Sequence, residues 1–424
     1  MGLIADSRTE HTISPLMDRR NGLIFLLSWQ LQFLAAPVIF VGVAQAALCD
    51  KLGASTAIAN LPTAAYLLGS ITPFTLAWRL PLRLEGSVVV WSNAISAASL
   101  GLVVAVLVMP FDNTIRIACV IVQGLLSGIL GSASGIYMFQ CLGRGTTSEG
   151  RARTLKWTYT SGPLLAVAGS LGAQFILNGG FRTLRYPYDF ALLYFIAVPC
   201  LVLVSLLSSK YDLPAAQEEN HGSFIRYAAD SVTTYMQSRV LILLWAGYFF
   251  WFCVLNSMPN ISLYTKIAIG VDPKELSGLI LALRFGFKAI AGFALGAIAL
   301  RWGVRAPVVT SALLFLASIV WAWAMPGYLY LFAFGLMGAA ELGAAYFLNY
   351  VIDVSGPATG ARNLAVLQLA VPASSLAPVL HGALTQRYGF RASFVLAFTT
   401  ALVTLWIVLR LPAKNVSSLC KETG

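Results

Sequence analysis

Charged side chains are scarce, at 11% of 424 residues. A soluble domain carries about 25%, so this composition excludes an ordinary water-soluble globule. Histidine is rarer still, at 3, and no H-E-x-x-H run occurs. There is no G-x-x-x-x-G-K-[ST] either, so ATP does not drive this chain through a P-loop. Cys49, Cys119, Cys141, Cys200, Cys253 and Cys420 stand singly, without a C-x-x-C pair. Neither a disulfide framework nor a metal site is read from them. No nucleophile–base signature is recognisable. The chain is therefore read as non-enzymatic, with no catalytic residues, no cofactor and no metal. Residues 1–22 hold Arg8, Arg19 and Arg20 without a small-residue cleavage site, and read as a retained cytoplasmic tail.

What is present is apolar. Hydrophobic residues make up 58% of the chain and the mean hydropathy is +0.77. This marks a polytopic membrane protein in contact with the lipid bilayer. About 20 residues of helix cross a hydrocarbon core of about 30 Å. Twelve apolar segments meet that need, at about 23–48, 54–78, 86–110, 115–141, 155–177, 188–209, 240–264, 276–300, 306–325, 328–352, 363–385 and 390–411. They are numbered 1 to 12 below. The longest connection, 210–239, splits the chain into a six-helix unit at 23–209 and another at 240–411, with a tail at 412–424.

Lys plus Arg outnumber Asp plus Glu by 28 to 17. In a soluble chain that excess would suggest nucleic acid. Here membrane topology accounts for it, because cations gather in cytoplasmic loops, and no nucleic-acid partner is expected. With the N-terminus inside, 18 cations fall on the side of the termini and 8 on the other. Both termini are expected in the cytoplasm, in a plasma or inner membrane, on a monomer.

Segment 8 organises the reading. It is apolar or small throughout its span except for Arg284 and Lys288. Four residues apart, they share one face of a helix. Each lies near mid-membrane, where a cation on a lone helix costs about 2.5–3.5 kcal/mol. Such residues turn toward a partner or a watery cavity. They are candidate solute ligands for an anion; a structural charge pair locking two helices is the competing account. Glu341, in segment 10, is the acid deep in a span, at a depth similar to Arg284. A carboxylate that exchanges a proton for a cationic partner can couple H+ flow to a conformational change. A Glu that stays paired and never titrates is the alternative.

Segment 8 runs out into Gly296-Ala-Ile-Ala-Leu-Arg-Trp-Gly-Val-Arg305. This resembles the G-x-L-a-D-R-x-G-R-R signature of the major facilitator superfamily. Gly296, Arg301, Gly303 and Arg305 match, and Leu300 takes the place of the acid. After segment 2, Leu76-Ala-Trp-Arg-Leu-Pro-Leu-Arg83 matches at Leu76, Ala77, Arg79 and Arg83, with Trp78 for the acid and Pro81 for the glycine. The resemblance implies a cytoplasmic gating role for both stretches, though a latch needing a carboxylate has none at either place. It also implies an all-α membrane fold of two pseudo-symmetric six-helix bundles around a central cavity. An internal repeat agrees with it. Arg153-x-Leu155 and Pro163 match Arg362-x-Leu364 and Pro372 at an offset of 209, as Gly180-Phe-Arg182 matches Gly389-Phe-Arg391.

In such a fold segments 1, 2, 4 and 5 face the cavity. Gln30, Gln32, Asn60, Gln123 and Gln174 are then candidate contacts, with Gln30 and Gln123 first. Interhelical hydrogen bonding, averaging about 0.6 kcal/mol per contact, is the plainer account of any one of them. Segment 7 offers Tyr248 and Asn256 as solute contacts, beside an aromatic run suited to an amphipathic compound. Pro259 there, Gly162-Pro163 in segment 5, and Pro372 and Pro378 in segment 11 are expected to bend their helices. Gly162-Pro163 also resembles the core of the family's antiporter motif. His381 reads as a packed, hydrogen-bonded imidazole, and Asp353 as a solvated end charge.

Together with these residues, the resemblance implies secondary active transport of a small anionic, zwitterionic or amphipathic solute by alternating access, coupled to protons. A transporter-shaped sensor or scaffold that binds without flux is the rival. An integral membrane enzyme ranks last, because His381 and Glu341 lie at different depths.

Overall fold

The computed structural model describes residues 13–40, 42–79, 84–181, 184–214 and 223–412. Every regular element among them is helical. Ten helices among the described residues are long and apolar enough to cross a membrane. Segments 1 and 2 fall outside that count because the first helix of segment 1 carries Asp18, Arg19 and Arg20 near its start and segment 2 is divided into short pieces. Segment 1 comprises Pro15–Leu34, Ala36–Ile39 and Val43–Lys51. Segment 2 comprises Thr56–Ala59, Leu61–Gly69 and Thr72–Arg79. Pro37 and Pro62 each occupy the first turn of a restarted helix, where a missing N–H is tolerated. The first helix begins at Pro15, ahead of residue 23. Ser14 Oγ accepts from Met17 N at 3.2 Å, and the proline fits the first turn.

Segments 3 to 6 are the long helices Glu85–Val108, Asn113–Gly145, Ser148–Leu177 and Tyr188–Ser208. Segment 7 runs over Arg239–Leu255 and resumes at Met258–Leu263. Segments 8, 9 and 12 are Pro273–Trp302, Arg305–Ala324 and Phe390–Val408. Segment 10 holds Phe332–Glu341 and then enters Gly343–Gln368, which also contains the start of segment 11. The chain doubles back inside that last stretch. Asn363 Nδ2 donates to Ser355 Oγ at 2.9 Å, whereas residues eight apart in a straight helix stand about 12 Å apart.

One apolar core gathers in the second half around Trp251, Phe315 and Phe347. Another joins segments 1, 3 and 6 around Leu48, Leu100, Phe190 and Tyr194. The two halves meet most firmly at the face opposite the termini, called the distal face here. Asp50 pairs with Lys266, and Asp189 with Lys274. Lys51 Nζ lies 2.5 Å from Asp272 Oδ2. Gln174 Oε1 accepts from Leu279 N at 2.7 Å, and its Nε2 donates to the Glu275 carbonyl. Segments 5 and 8 can approach this closely because Gly278 has no side chain. A Cβ there would stand 2.4 Å from the Ser170 carbonyl oxygen.

Burial raises the Asp272 carboxyl, but the Lys51 hydrogen bond and the Lys274 N–H outweigh it and hold the group below its ordinary value. The same hydrogen bond lifts the Lys51 ammonium above its own.

At the terminal face, Asn21 binds Gly145 of the first half and Asp212 at the start of the connection, and Asp18 accepts from Thr147. An amphipathic helix, Phe224–Met236, lies in the connection between the halves. Its Tyr235 is fully buried in the second half's core, while Phe224 and Tyr227 contact the Phe74 ring of segment 2.

Candidate solute site

The site begins with two glycines of segment 10. A Cβ on Gly338 would lie 2.1 Å from the Arg284 carbonyl oxygen, and one on Gly335 would lie 2.7 Å from the Phe287 ring. Segment 10 therefore packs backbone-close on segment 8, which brings Glu341 onto the cationic face. Arg284 Nε donates to Glu341 Oε2 at 2.8 Å. Lys288 Nζ lies 3.0 Å from Oε1. The helix breaks just after Glu341, where Leu342 N turns to the nearer carbonyls of Ala339, at 3.4 Å, and Ala340.

Three features open this triad toward a ligand. Glu341 keeps 19% of its side chain exposed and Lys288 17%, although both lie within membrane-spanning segments. Tyr66 of segment 2 stands within electrostatic reach of Glu341 and Arg284, so the triad faces the other half. The formal charge is +1, and the contact to Glu341 uses only Nε of Arg284. Its terminal nitrogens have no hydrogen-bond partner among the described residues. A carboxylate is the natural acceptor for such a guanidinium fork. Both cations also face the Phe285 ring, at 5.7 and 5.4 Å from its centroid. Phe40 of segment 1 meets that ring from across the interface, at 6.0 Å.

The other candidates are dispersed. Gln30 Nε2 donates to Ser161 Oγ, and its carbonyl oxygen is buried without a partner. Gln123 is buried, with Nε2 donating to Ser127 Oγ at 2.7 Å and its own Oε1 unpartnered. Gln32 donates to Asn93 Oδ1 at 3.4 Å. Tyr248 is packed within the second half against Trp251, Phe252 and Phe347. Asn256 Nδ2 donates to Ser374 Oγ at 3.1 Å, which ties segment 7 to segment 11. None of these is bonded to the triad in the contacts described. Of the segment 7 aromatics, Tyr248 and Trp251 are core, with at most 2% exposure, while Trp245, Phe249, Phe250 and Phe252 are half-buried.

A buried amide cluster joins the halves elsewhere. Asn60 Nδ2 donates to Asn260 Oδ1 at 3.3 Å, and Asn260 Nδ2 donates to Thr385 and Ser393, both at 2.9 Å. His381 Nδ1 lies 2.8 Å from Ser393 Oγ in the same cluster.

The proline and glycine positions are distinct. Pro163 lies inside an unbroken helix. Gly162 beside it provides a packing contact, since a Cβ would stand 2.4 Å from the Phe33 ring. Segment 7 breaks at Asn256–Ser257, just ahead of Pro259. Segment 11 passes through Ala370–Ala373, containing Pro372, and then a 3-10 turn at Ser374–Leu376 ahead of Pro378.

At the signature stretches, Gly303 ends segment 8 with φ +77°, a left-handed conformation that favours glycine. Gly296 lies against Tyr346. Arg301 sits 5.2 Å from the Trp302 ring. Arg305 Nη2 donates to the Leu409 carbonyl at 2.5 Å. Arg79 closes its helix, but its side chain, that of Asp353 and the whole of Arg83 lie outside the described residues. The sequence reading missed Glu85. Buried to 1% exposure at the start of segment 3, it pairs with Arg144 Nη1 at 2.5 Å.

The whole arrangement matches solved transporters. A variant of the nucleoside transporter NupG superimposes with a TM-score of 0.69 at 11% identity, covering 92% of this chain and 99% of that one. The peptide transporter POT in complex with sulfate gives 0.66 at 12% identity, over 96% and 95%. A D-xylose–proton symporter gives 0.61 at 13% identity, over 94% and 98%. This chain has the major facilitator fold. The likeness establishes that architecture of two six-helix bundles, and the three transporters' different solutes leave this chain's own to be argued from its site. No protein-family model matches the chain, and no curated sequence does.

Proposed function

We propose that the chain is a secondary active transporter of a small organic anion or zwitterion, coupled to protons. The Arg284–Glu341–Lys288 triad at the interface of the two bundles carries this reading. In the resting site Glu341 occupies one side of each cation. An arriving carboxylate takes the free guanidinium nitrogens, competes for Lys288, and weakens the hold on Glu341. A proton on Glu341 then removes its charge and its attraction for both cations. The units 23–209 and 240–411 rock about this site, joined by 210–239. With the termini in the cytoplasm, the face held by the Asp50–Lys266, Lys51–Asp272 and Asp189–Lys274 pairs is the outward one.

The test is proton movement in sealed proteoliposomes as small organic solutes are added. A solute-dependent pH change that disappears in Glu341→Gln is the expected result. Binding of a solute without flux under any imposed gradient would instead mark a sensor of transporter shape. Unchanged pH-dependent flux in Glu341→Gln would remove that residue from the mechanism.

A further inference from the structure

The aromatic residues beside the triad bear on the kind of anion it takes. Phe285 is the meeting point. Both cations face its ring, and Phe40 contacts it from the other bundle. Phe40 continues an aromatic row through Phe33, at 6.2 Å, to Trp29, a further 5.7 Å on. Phe285 is buried, whereas Phe40 remains half-buried at the interface between the bundles. Phe40 also lies between the helices Ala36–Ile39 and Val43–Lys51, outside any continuous helix. Its ring is therefore free to yield to a ligand at a lower cost than one locked into a helical core.

We infer that Phe40 and Phe285 form the apolar half of the solute site, and that the solute is a small carboxylate carrying a flat apolar tail. This rests on the triad being an anion site. The carboxylate accepts from the terminal nitrogens of Arg284 and from Lys288, in the fork geometry guanidinium favours. The tail lies against the Phe285 ring and takes up the contact that Phe40 makes with it. Flat aromatic surfaces bury area against each other in offset or edge-on arrangements. Phe40 is thus a specificity-determining residue contributed by the first bundle. Because it belongs to one bundle and Phe285 to the other, the tail also bridges the two moving units.

The experiment compares acetate, benzoate and benzyl alcohol on the purified full-length chain, read by thermal stabilisation. Benzoate should stabilise at concentrations at least ~10-fold below acetate, as burial of a ring's apolar surface requires. Benzyl alcohol, with the ring but no charge, should not stabilise. In Phe40→Ala the benzoate-to-acetate ratio should fall toward one, and Phe40→Leu, which keeps bulk without a flat face, should give an intermediate ratio. Equal affinity for acetate and benzoate in the wild type, or a ratio untouched by both Phe40 variants, would overturn the aromatic half. The anion site would then still stand if Arg284→Ala abolished the stabilisation by acetate. Stabilisation by neither carboxylate would overturn the anion site and this inference with it.

Discussion

Gly338 stands so close to Arg284 that a methyl group on it would lie 2.1 Å from the Arg284 carbonyl oxygen. The Arg284–Glu341 contact depends on that approach, because Glu341 follows on the same helix. Gly338→Ala should force segments 8 and 10 apart. Overpacking of this kind costs about 1–3 kcal/mol. A lower melting temperature, together with weaker binding of a carboxylate probe, is the expected outcome. Unchanged binding in a stable variant would show that Glu341 reaches the cations without the close backbone contact.

The ion pairs at the distal face should set how readily that face opens. Lys51→Ala or Asp272→Ala should shift the bundles toward distal opening, as read from distances between spin labels on the two loops. Exchanging the charges, Lys51→Asp with Asp272→Lys, should restore closure. The pair also fixes the sign of the pH response. Asp272 is held below its ordinary value, so its contribution to closure is complete above the unpaired carboxylate range and is lost as the pH falls through the lowered value. Lys51 is held above its ordinary value, so its contribution is complete below the unpaired lysine range and is lost as the pH rises through the raised value. Closure should therefore be widest between these two limits. Opening that is indifferent to acid would remove Asp272 from the latch.

Glu85 and Arg144 make a similar point inside the first bundle. Glu85 is almost fully buried, while Arg144 keeps 23% exposure and also binds the Pro214 carbonyl. Removing one partner of a buried pair costs about 3–5 kcal/mol. Access of water to Arg144 places Glu85→Gln at the lower end, at about 3. A thermal melt of the purified variant measures it. A loss well under 1 kcal/mol would mean the pair is solvated in practice.

Asn260 connects the bundles through amide and hydroxyl bonds alone. Asn260→Leu should remove the bond that crosses to Asn60 and deprive Thr385 of its Asn260 bond, at a cost of about 1–3 kcal/mol for a buried group left unpaired, while Asn60 keeps the Thr56 carbonyl and Ser393 keeps His381. The same variant should favour distal opening in the spin-label measurement. A loss of stability with no change in the bundle distances would show that the cluster supports only the second bundle.

The membrane architecture was legible because hydropathy is a property of the chain alone, and long apolar runs need no tertiary information. Arg284, Lys288 and Glu341 stood out for the same reason, as charges where apolar residues are required. Their meeting was harder to read, since it depends on Gly335 and Gly338, ordinary small residues until segment 8 is placed against them. Tyr248 and Asn256 illustrate the opposite limit. Their chemistry suited a solute, but the sequence does not give the rotation of segment 7 about its own axis, which turns both into the second bundle. Glu85 and Arg144 were hidden at helix ends, where charges are expected for topological reasons. The interruptions of segments 1 and 2 had a visible signal in Pro37 and Pro62, which an apolar run of sufficient length obscured.

The helix Phe224–Met236 bears on how the two bundles can be separated. Tyr235 anchors it in the second bundle, and Phe224 and Tyr227 rest on Phe74 of the first. It is thus a strut buried in the second bundle at one end and resting on the first at the other. The proposed rocking would drag or break that aromatic contact, which would place friction in a connection that looks, from its polar composition, like slack rope. A cut ahead of Ser223 would leave the strut with the second bundle, so separately expressed halves should reassemble through it. A cut after Met236 would strand it on the wrong partner.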